Sequence, residues 1–356
     1  MIRVQTFPAR DGDCTLLSYG DTKSLRHVLV DGGRTGTYNT LRPALQAIAK
    51  NGGKIELLVL THVDADHIEG ALKLIRDPDK APVEVEQVWF NGYEKLATLE
   101  RLGYRQGDTF SDGIRERGWP WNTAFDEGCV VLDENQAPKQ KALAGGLQLT
   151  LLSPDRMSLT RLRSAWEKSR ETRNEKPADQ SEGLEAMGAR APMPVSIDVP
   201  ALAAEPQNDD DNIPNSSSIA FVAEWEGKRI LMAADAHPDT LARGLRQLAG
   251  ARKQFRVDVY KVSHHGSARN NSRDLLGVLD CSRFLFSTDG SRNGHPNPQT
   301  VARILTNCNP GRHKTLYFNY RQDYSTPWDR PALRTAYSYE CEFPTMLPEG
   351  QLEFEV

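Results

Sequence analysis

The sequence predicts an α/β protein whose reactive side chains gather at the ends of buried strands. Three observations carry that expectation. Ile55–Leu60 is apolar apart from Glu56, as a strand covered on both faces would be. It runs straight into His62-Val63-Asp64-Ala65-Asp66-His67, which packs four metal-capable side chains into six residues. Two later apolar runs end the same way, Arg229–Ala234 at Asp235 and Val257–Val262 at Ser263-His264-His265.

The elements follow in order. Short apolar stretches at Ile2–Phe7, Cys14–Ser18 and His27–Val30, punctuated by Gly and Asp, read as strands with tight turns. Thr40–Lys50 places Leu41, Leu45 and Ile48 at helical spacing and stops before Asn51-Gly52-Gly53. A helix is expected from about Ile68 to Ile75, then a strand over Val83–Phe90. Residues 93–141 read as an irregular polar insertion, and Gly146–Leu152 as a strand. A second insertion, 155–212, opens with a basic helix and closes in a flexible segment at Asp209-Asp210-Asp211. That helix carries Arg156, Arg161, Arg163, Lys168, Arg170, Arg173 and Lys176, with Trp166 among them and Glu167, Glu171 and Glu175 interleaved. Such a surface suits nucleic acid, whereas the glutamates suit an ordinary solvated helix.

Ser218–Trp225 and Lys228–Ala234 form a hairpin over Glu226-Gly227. Helices over His237–Leu248 and Ser272–Leu279, a strand over Arg283–Ser287 and a largely extended Thr315–Val356 complete one domain, 1–356.

Composition narrows the classes. A net charge of −4 gives no global attraction to nucleic acid, so any phosphate-binding surface is local. The five cysteines are odd in number and never form Cys-x-x-Cys, which argues against a disulfide framework and a thiolate zinc finger. No apolar run approaches the roughly 18–20 residues of a membrane span, and the N-terminus lacks a signal-peptide build. The expected compartment is the cytoplasm, with no membrane partner.

The clustered side chains offer mixed nitrogen and oxygen donors, which suit zinc, manganese or iron. Asp235, flanked by alanines at a strand end, reads as a ligand, against the alternative of a helix N-cap. Adjacent histidines on an extended segment point to opposite sides, so one of His264 and His265 is expected to face the metals. Ser267, Asn270 and the helix starting near Ser272 are candidate donors to a phosphate.

Taken in sequence, these motifs resemble the metallo-β-lactamase superfamily, and within it the ComEC-type hydrolase domain of DNA-uptake proteins and its free-standing relatives. The similarity runs through Gly12-Asp13, Asp31-Gly32-Gly33 and Thr61–Gly70, and on through Asn215–Ile219, Ala234-Asp235, Ser263–Ser267 and Asn293-Gly294-His295-Pro296. The resemblance implies an αββα four-layer sandwich and two divalent metal ions, manganese or zinc, with magnesium also compatible. It implies that Asp235 bridges them, that Asp66, His67 and one of His264/His265 hold one ion, and that His62 and Asp64, helped by Asn215, hold the other. Asp31 and Ser263 would support the site from behind. Asp66, His265 and His295 would be its catalytic side chains, with Ser267, Asn270 and Asn293 on the substrate.

Two positions depart from the wider superfamily, Asp64 and Asn215 standing where histidines are usual. Harder oxygen ligation shifts preference from zinc toward manganese or magnesium. The implied activity is a phosphodiesterase or nuclease acting on DNA, RNA or nucleotides through a metal-activated hydroxide. The alternatives are an acyl, thioester or lactone hydrolase, and a non-catalytic subunit working with proteins encoded nearby, as in defence systems.

Overall fold

Alternation along the central strands decides the layers. On Ile55–Val59, Leu57 and Val59 face one core while Leu58, and Leu60 just beyond it, face another. On Lys228–Met232, Ile230 and Met232 share the first of these cores and Leu231 turns to a third. A strand apolar on both faces must be covered on both. The computed structural model, which describes residues 1–356 except 23, 79–80, 97–104, 127, 134, 136, 174–191 and 346–347, shows how.

Two sheets pack face to face through a core that includes Val4, Leu17, Val28, Leu57, Leu149, Phe221, Ile230 and Leu285. The first sheet runs, edge to edge, Glu353–Glu355, Ile2–Thr6, Thr15–Asp21, Ser24–Val30, Ile55–Val59, Val88–Trp89. The second runs Tyr339–Glu342, Lys314–Phe318, Arg283–Phe286, Val259–Lys261, Lys228–Met232, Ala220–Trp225, Gln148–Ser153, Lys139–Ala142. Helices Tyr38–Lys50, Ala65–Ile75, Arg105–Arg117 and Arg156–Arg173 contribute to the outer core of the first sheet. Val199–Ala204, Pro238–Ala249, Arg273–Val278 and Pro298–Asn307 do the same for the second. The result is the four-layer αββα sandwich.

Parallel pairing sets the position of the site. Ser24–Val30 and Ile55–Val59 are parallel, as are Lys228–Met232, Val259–Lys261 and Arg283–Phe286. Their carboxyl ends, where ligands gather in open α/β sheets, deliver Asp31, His62, Asp235, His265 and Ser287.

Several expectations change. The helix after the first motif starts at Ala65, three residues earlier than expected, so Asp66 and His67 lie in its first turn. Val83–Phe90 pairs as a strand only over Val88–Trp89, with an isolated bridge between Val85 and Ile55. The 93–141 stretch holds a thirteen-residue helix, Arg105–Arg117, anchored by buried Phe110 and Ile114. Two anchors one turn apart in a polar stretch are a weak periodic signal, which is why the helix escapes sequence reading. Within 155–212 the basic helix forms over Arg156–Arg173, but Trp166 is fully buried beside Tyr93 instead of presented to a ligand. Lys176 and Glu175 lie outside the described residues. The closing segment, expected to be extended, includes the helix Pro331–Tyr337. No helix among the described residues is long and apolar enough to cross a membrane.

Candidate metal centre

Close backbone approaches bring the motif together. A Cβ on Gly32 would lie 2.0 Å from Ala71 N, and one on Gly70 1.9 Å from Gly32 O. These glycines let the loop after Ser24–Val30 lie against helix Ala65–Ile75, where Gly32 N donates to His67 O at 2.8 Å. Asp31 is thereby fixed at positive φ (61°) beneath the motif. Its Oδ1 accepts from Thr61 N, and its Oδ2 accepts from Thr61 Oγ1 and His67 Nδ1, all at 2.8 Å. With Nδ1 spent on Asp31, His67 turns Nε2 to the centre. Thr61 Oγ1 lies 3.0 Å from His62 Nδ1 and orients that ring likewise. Asp64 occupies the helix N-cap without a capping bond, and its carboxylate lies 3.7 Å from His62 Nε2.

The second half converges on the same point by a strained turn. His264 (φ 48°), His265 (φ 53°) and Gly266 (φ 95°) are consecutive left-handed residues. For non-glycine residues this costs on the order of 1–3 kcal/mol each, and it persists where the surroundings over-determine it. The turn corrects the expectation of an extended pair facing opposite ways, for both Nε2 atoms lie 3.7 Å from Asp235 Oδ2. His265 Nδ1 bonds Ser287 O at 2.9 Å, and Ser263 Oγ donates to Ala236 O, tying the turn down. Asp235 is no helix cap, since His237 precedes the next helix. Its Oδ2 also lies 3.8 Å from His62 Nε2 and 3.5 Å from His67 Nε2. Four imidazole nitrogens thus surround one carboxylate oxygen.

These separations are too long for good hydrogen bonds. They approximate the ~3.4 Å between ligands that each sit about 2.1 Å from a shared tetrahedral ion. His62 Nε2, His67 Nε2, His265 Nε2, Asp235 Oδ1 and Asp13 Oδ1 are buried without a hydrogen-bond partner. Unsatisfied buried polar atoms are costly, and convergent ones are what an ion satisfies. Asp13, His67, Asp235 and His265 each bring a ligand atom within 4.8 Å of the others'. The donor set therefore fits divalent metal.

The electrostatics agree. Burial opposes charge on His264 and His265, yet Asp235 with Asp210 holds the first up at about 9, and Asp13 with Asp235 the second at about 10. Burial and the neighbouring Asp66 raise Asp64 to about 7. Burial and His67 press His62 down to about 3. A divalent cation would displace the protons that the carboxylates now hold on these rings.

Other predicted residues take different places. His295 is buried with its ring centroid 5.5 Å from that of His264, and its Nδ1 has no partner. Asn293, half-buried two residues before it, also keeps a side-chain oxygen without a partner. Asn270, expected on a phosphate, is fully buried behind His264. Its Oδ1 lies 2.9 Å from His264 Nδ1, and its Nδ2 donates to Asp210 Oδ2 and Asp235 O. Ser267 is buried in the turn, with its N donating to His264 O, and Ser272 Oγ caps the short helix after it. Ser267 Oγ accepts from Arg269 N at 3.2 Å. Asn215 Nδ2 donates to Asp210 Oδ2 at 2.8 Å and lies 3.4 Å from His264 Nδ1.

Sequence reasoning placed Asp13 in the Gly12-Asp13 motif without a role at the site, and gave none to Asp210 or Lys261. Asp210 was lost in an acidic run whose composition reads as solvated. Lys261 did leave a trace, as the one charge late in an apolar strand.

Residues 9–132 match the family model described as the Metallo-beta-lactamase superfamily. No curated protein matches the chain. Among solved structures, a CmlA beta-hydroxylase E377D mutant is similar at 11% identity and a TM-score of 0.38. The match covers 99% of this chain and 54% of the other, so the chain spans about half the length of that protein. The segment that carries the His62–His67 cluster is thus similar to metallo-beta-lactamase superfamily sequence, and the αββα sandwich around it is consistent with that superfamily's fold.

Proposed function

We propose that the protein is a metal-dependent phosphodiesterase acting on nucleic acid or nucleotides. The carrying observation is the set of four imidazole nitrogens around Asp235 Oδ2, with buried ligand atoms left unpartnered. Asp64, Asp66 and Asp235 make the set rich in oxygen, which favours manganese or magnesium alongside zinc. Two ions held there would supply Lewis acidity and an activated water. Around them, Asp31 and Thr61 hold His67 and His62 in register, while Asn270 and Asp210 hold His264. Burial holds His295 well below the usual imidazole range, so it stays neutral and can present an N–H to a developing oxyanion. Arg10 and Arg292 lie on the loops that carry Asp13 and His295, and Arg34 on the loop that carries Asp31; Asp289, Asp11 and Glu69 answer part of their charge. The buried Trp166 removes the stacking platform that the basic helix would need, so that helix does not support the proposal.

The test is to strip the protein of metal and reload it with manganese, zinc or magnesium. It is then offered bis-p-nitrophenyl phosphate, double- and single-stranded DNA, RNA and a lactone, beside an Asp66→Ala control. Metal-dependent phosphodiester cleavage absent from the control is expected. Turnover of the lactone with none of the phosphodiesters would overturn the proposal in favour of acyl hydrolysis.

A further inference from the structure

The metal centre described above gives no role to one buried cation. Lys261 is 1% exposed on the strand Val259–Lys261, and its ammonium donates to Asp13 Oδ2. Lysine is almost never fully buried unless paired, and a buried pair is on balance no more stabilising than apolar residues of similar volume. Stability alone therefore does not account for it.

The partner comes from the other sheet. Asp13 sits between the strands Ile2–Thr6 and Thr15–Asp21 of the first sheet, and Lys261 belongs to the second, so the pair joins both sheets beneath the centre. The loop reaches this point because Gly12 lets it lie on the start of helix Ala65–Ile75. A Cβ there would fall 1.9 Å from Asp66 O, the atom to which Asp13 N donates at 3.2 Å. Lys261 takes one carboxylate oxygen. The other, Oδ1, is buried without a hydrogen-bond partner and lies 3.4 Å from His265 Nδ1. Since His265 Nδ1 already bonds Ser287 O, that ring leaves Asp13 Oδ1 unsatisfied. A ligand atom of Asp13 lies within 4.8 Å of those of His67, Asp235 and His265.

We propose that Asp13 is a further carboxylate ligand of the metal centre and that Lys261 is the positioning residue that holds it there. The inference rests on the metal-dependent reading of the site. Lys261 restrains the carboxylate from rotating away and keeps one oxygen aimed at the ion that His67, Asp235 and His265 face.

Metal-stripped full-length protein is titrated with zinc and with manganese by calorimetry, and bound metal is counted after dialysis. The melting temperature of each stripped variant is recorded beside the titration. Asp13→Asn and Lys261→Met are expected to weaken binding by roughly 10–100-fold, the range for residues that orient or support ligands. The double variant, which removes both buried charges, is expected to bind no more weakly than Asp13→Asn, because Lys261 acts through Asp13. Lys261→Arg keeps the cation and should restore binding to within a few-fold of wild type. Lys314→Met is the control: Lys314 is also buried but donates to Asn309 O and Arg312 O, so its loss should lower melting and leave metal affinity alone. Asp13→Glu and Lys261→Gln serve where the first variants do not fold.

A folded Asp13 variant that binds metal as wild type does would overturn the ligand role. Losses that add in the double variant would overturn the positioning role. A wild-type protein that binds no divalent ion would strike the metal reading itself, an outcome distinct from both.

Discussion

The two halves of the centre are built by opposite means. The N-terminal half is local: His62, Asp64, Asp66 and His67 fall within one strand end and one helical turn, and Asp31 braces them from the neighbouring strand. The C-terminal half is assembled at a distance. Asp235, the His264-His265 pair and His295 come from three separate loops, with Asp210 brought in from a segment the sequence presents as a solvated acidic run. The family match follows this division, covering 9–132 and none of the second half. Dense local chemistry leaves a pattern in sequence. Chemistry gathered by parallel strand ends leaves single residues that only the fold connects.

The sharpest test of the division is the residue both halves share. Asp235→Asn should lower activity at least a thousandfold, about 4 kcal/mol of transition-state stabilisation, and lower bound metal as well. His62→Ala touches only the N-terminal half and should leave part of the metal bound. Equal metal loss in the two variants would mean that His62 is needed for all the metal the centre holds. Metal counting after dialysis, beside the rate, decides it.

Next in size is a structural support of the N-terminal half. Trp166 is fully buried, and Gly107 sits between it and Val63, the residue separating His62 from Asp64. Trp166→Ala should cost about 3–5 kcal/mol, the range for large aromatic truncations, read as a lower denaturation midpoint. A loss below about 1 kcal/mol would mean that helix Arg156–Arg173 is peripheral to the core.

How much was legible follows from the same contrast. The strand ends at Val59, Met232 and Lys261 were readable because apolar runs broke off into Asp and His. Asp31 was readable only through the resemblance of Asp31-Gly32-Gly33 to a family motif. The left-handed conformation of His264 and His265 was not, since no local rule places two histidines at positive φ. Asn270 was misassigned for a related reason. An amide beside a helix start looks free to bind phosphate until tertiary contacts with His264, Asp210 and Asp235 use both of its ends.

The braces of the two halves should differ more modestly. Asp31 holds three donors, governing His67 directly and His62 through Thr61, whereas Asp210 reaches His264 mainly through Asn270. Supporting residues typically account for 10–100-fold in metal affinity. Asp31→Asn is expected near the upper end, about 100-fold, and Asp210→Asn near the lower, about tenfold. Titration of the stripped variants measures both, and a reversed order would show that the distant half governs affinity.

The smallest effect is expected where sequence alone suggested a nucleic-acid surface. Arg161 is exposed on helix Arg156–Arg173, and its contact is to Met157 Sδ one turn away. On the same helix Arg163 pairs with Glu167 at 2.8 Å, so part of its charge is answered internally. With Trp166 turned into the core, no aromatic face from that residue remains beside these charges for a base to stack on. Arg161→Glu should therefore change stability by less than about 0.5 kcal/mol and leave both DNA affinity and its salt dependence as in wild type. Arg10, on the loop that carries Asp13 and itself largely exposed, should show the contrary, with weaker binding and a shallower salt slope in Arg10→Ala. If the two arginines trade places in that experiment, the substrate approaches along the helix, and the loop that carries Arg10 and Asp13 is not what meets it.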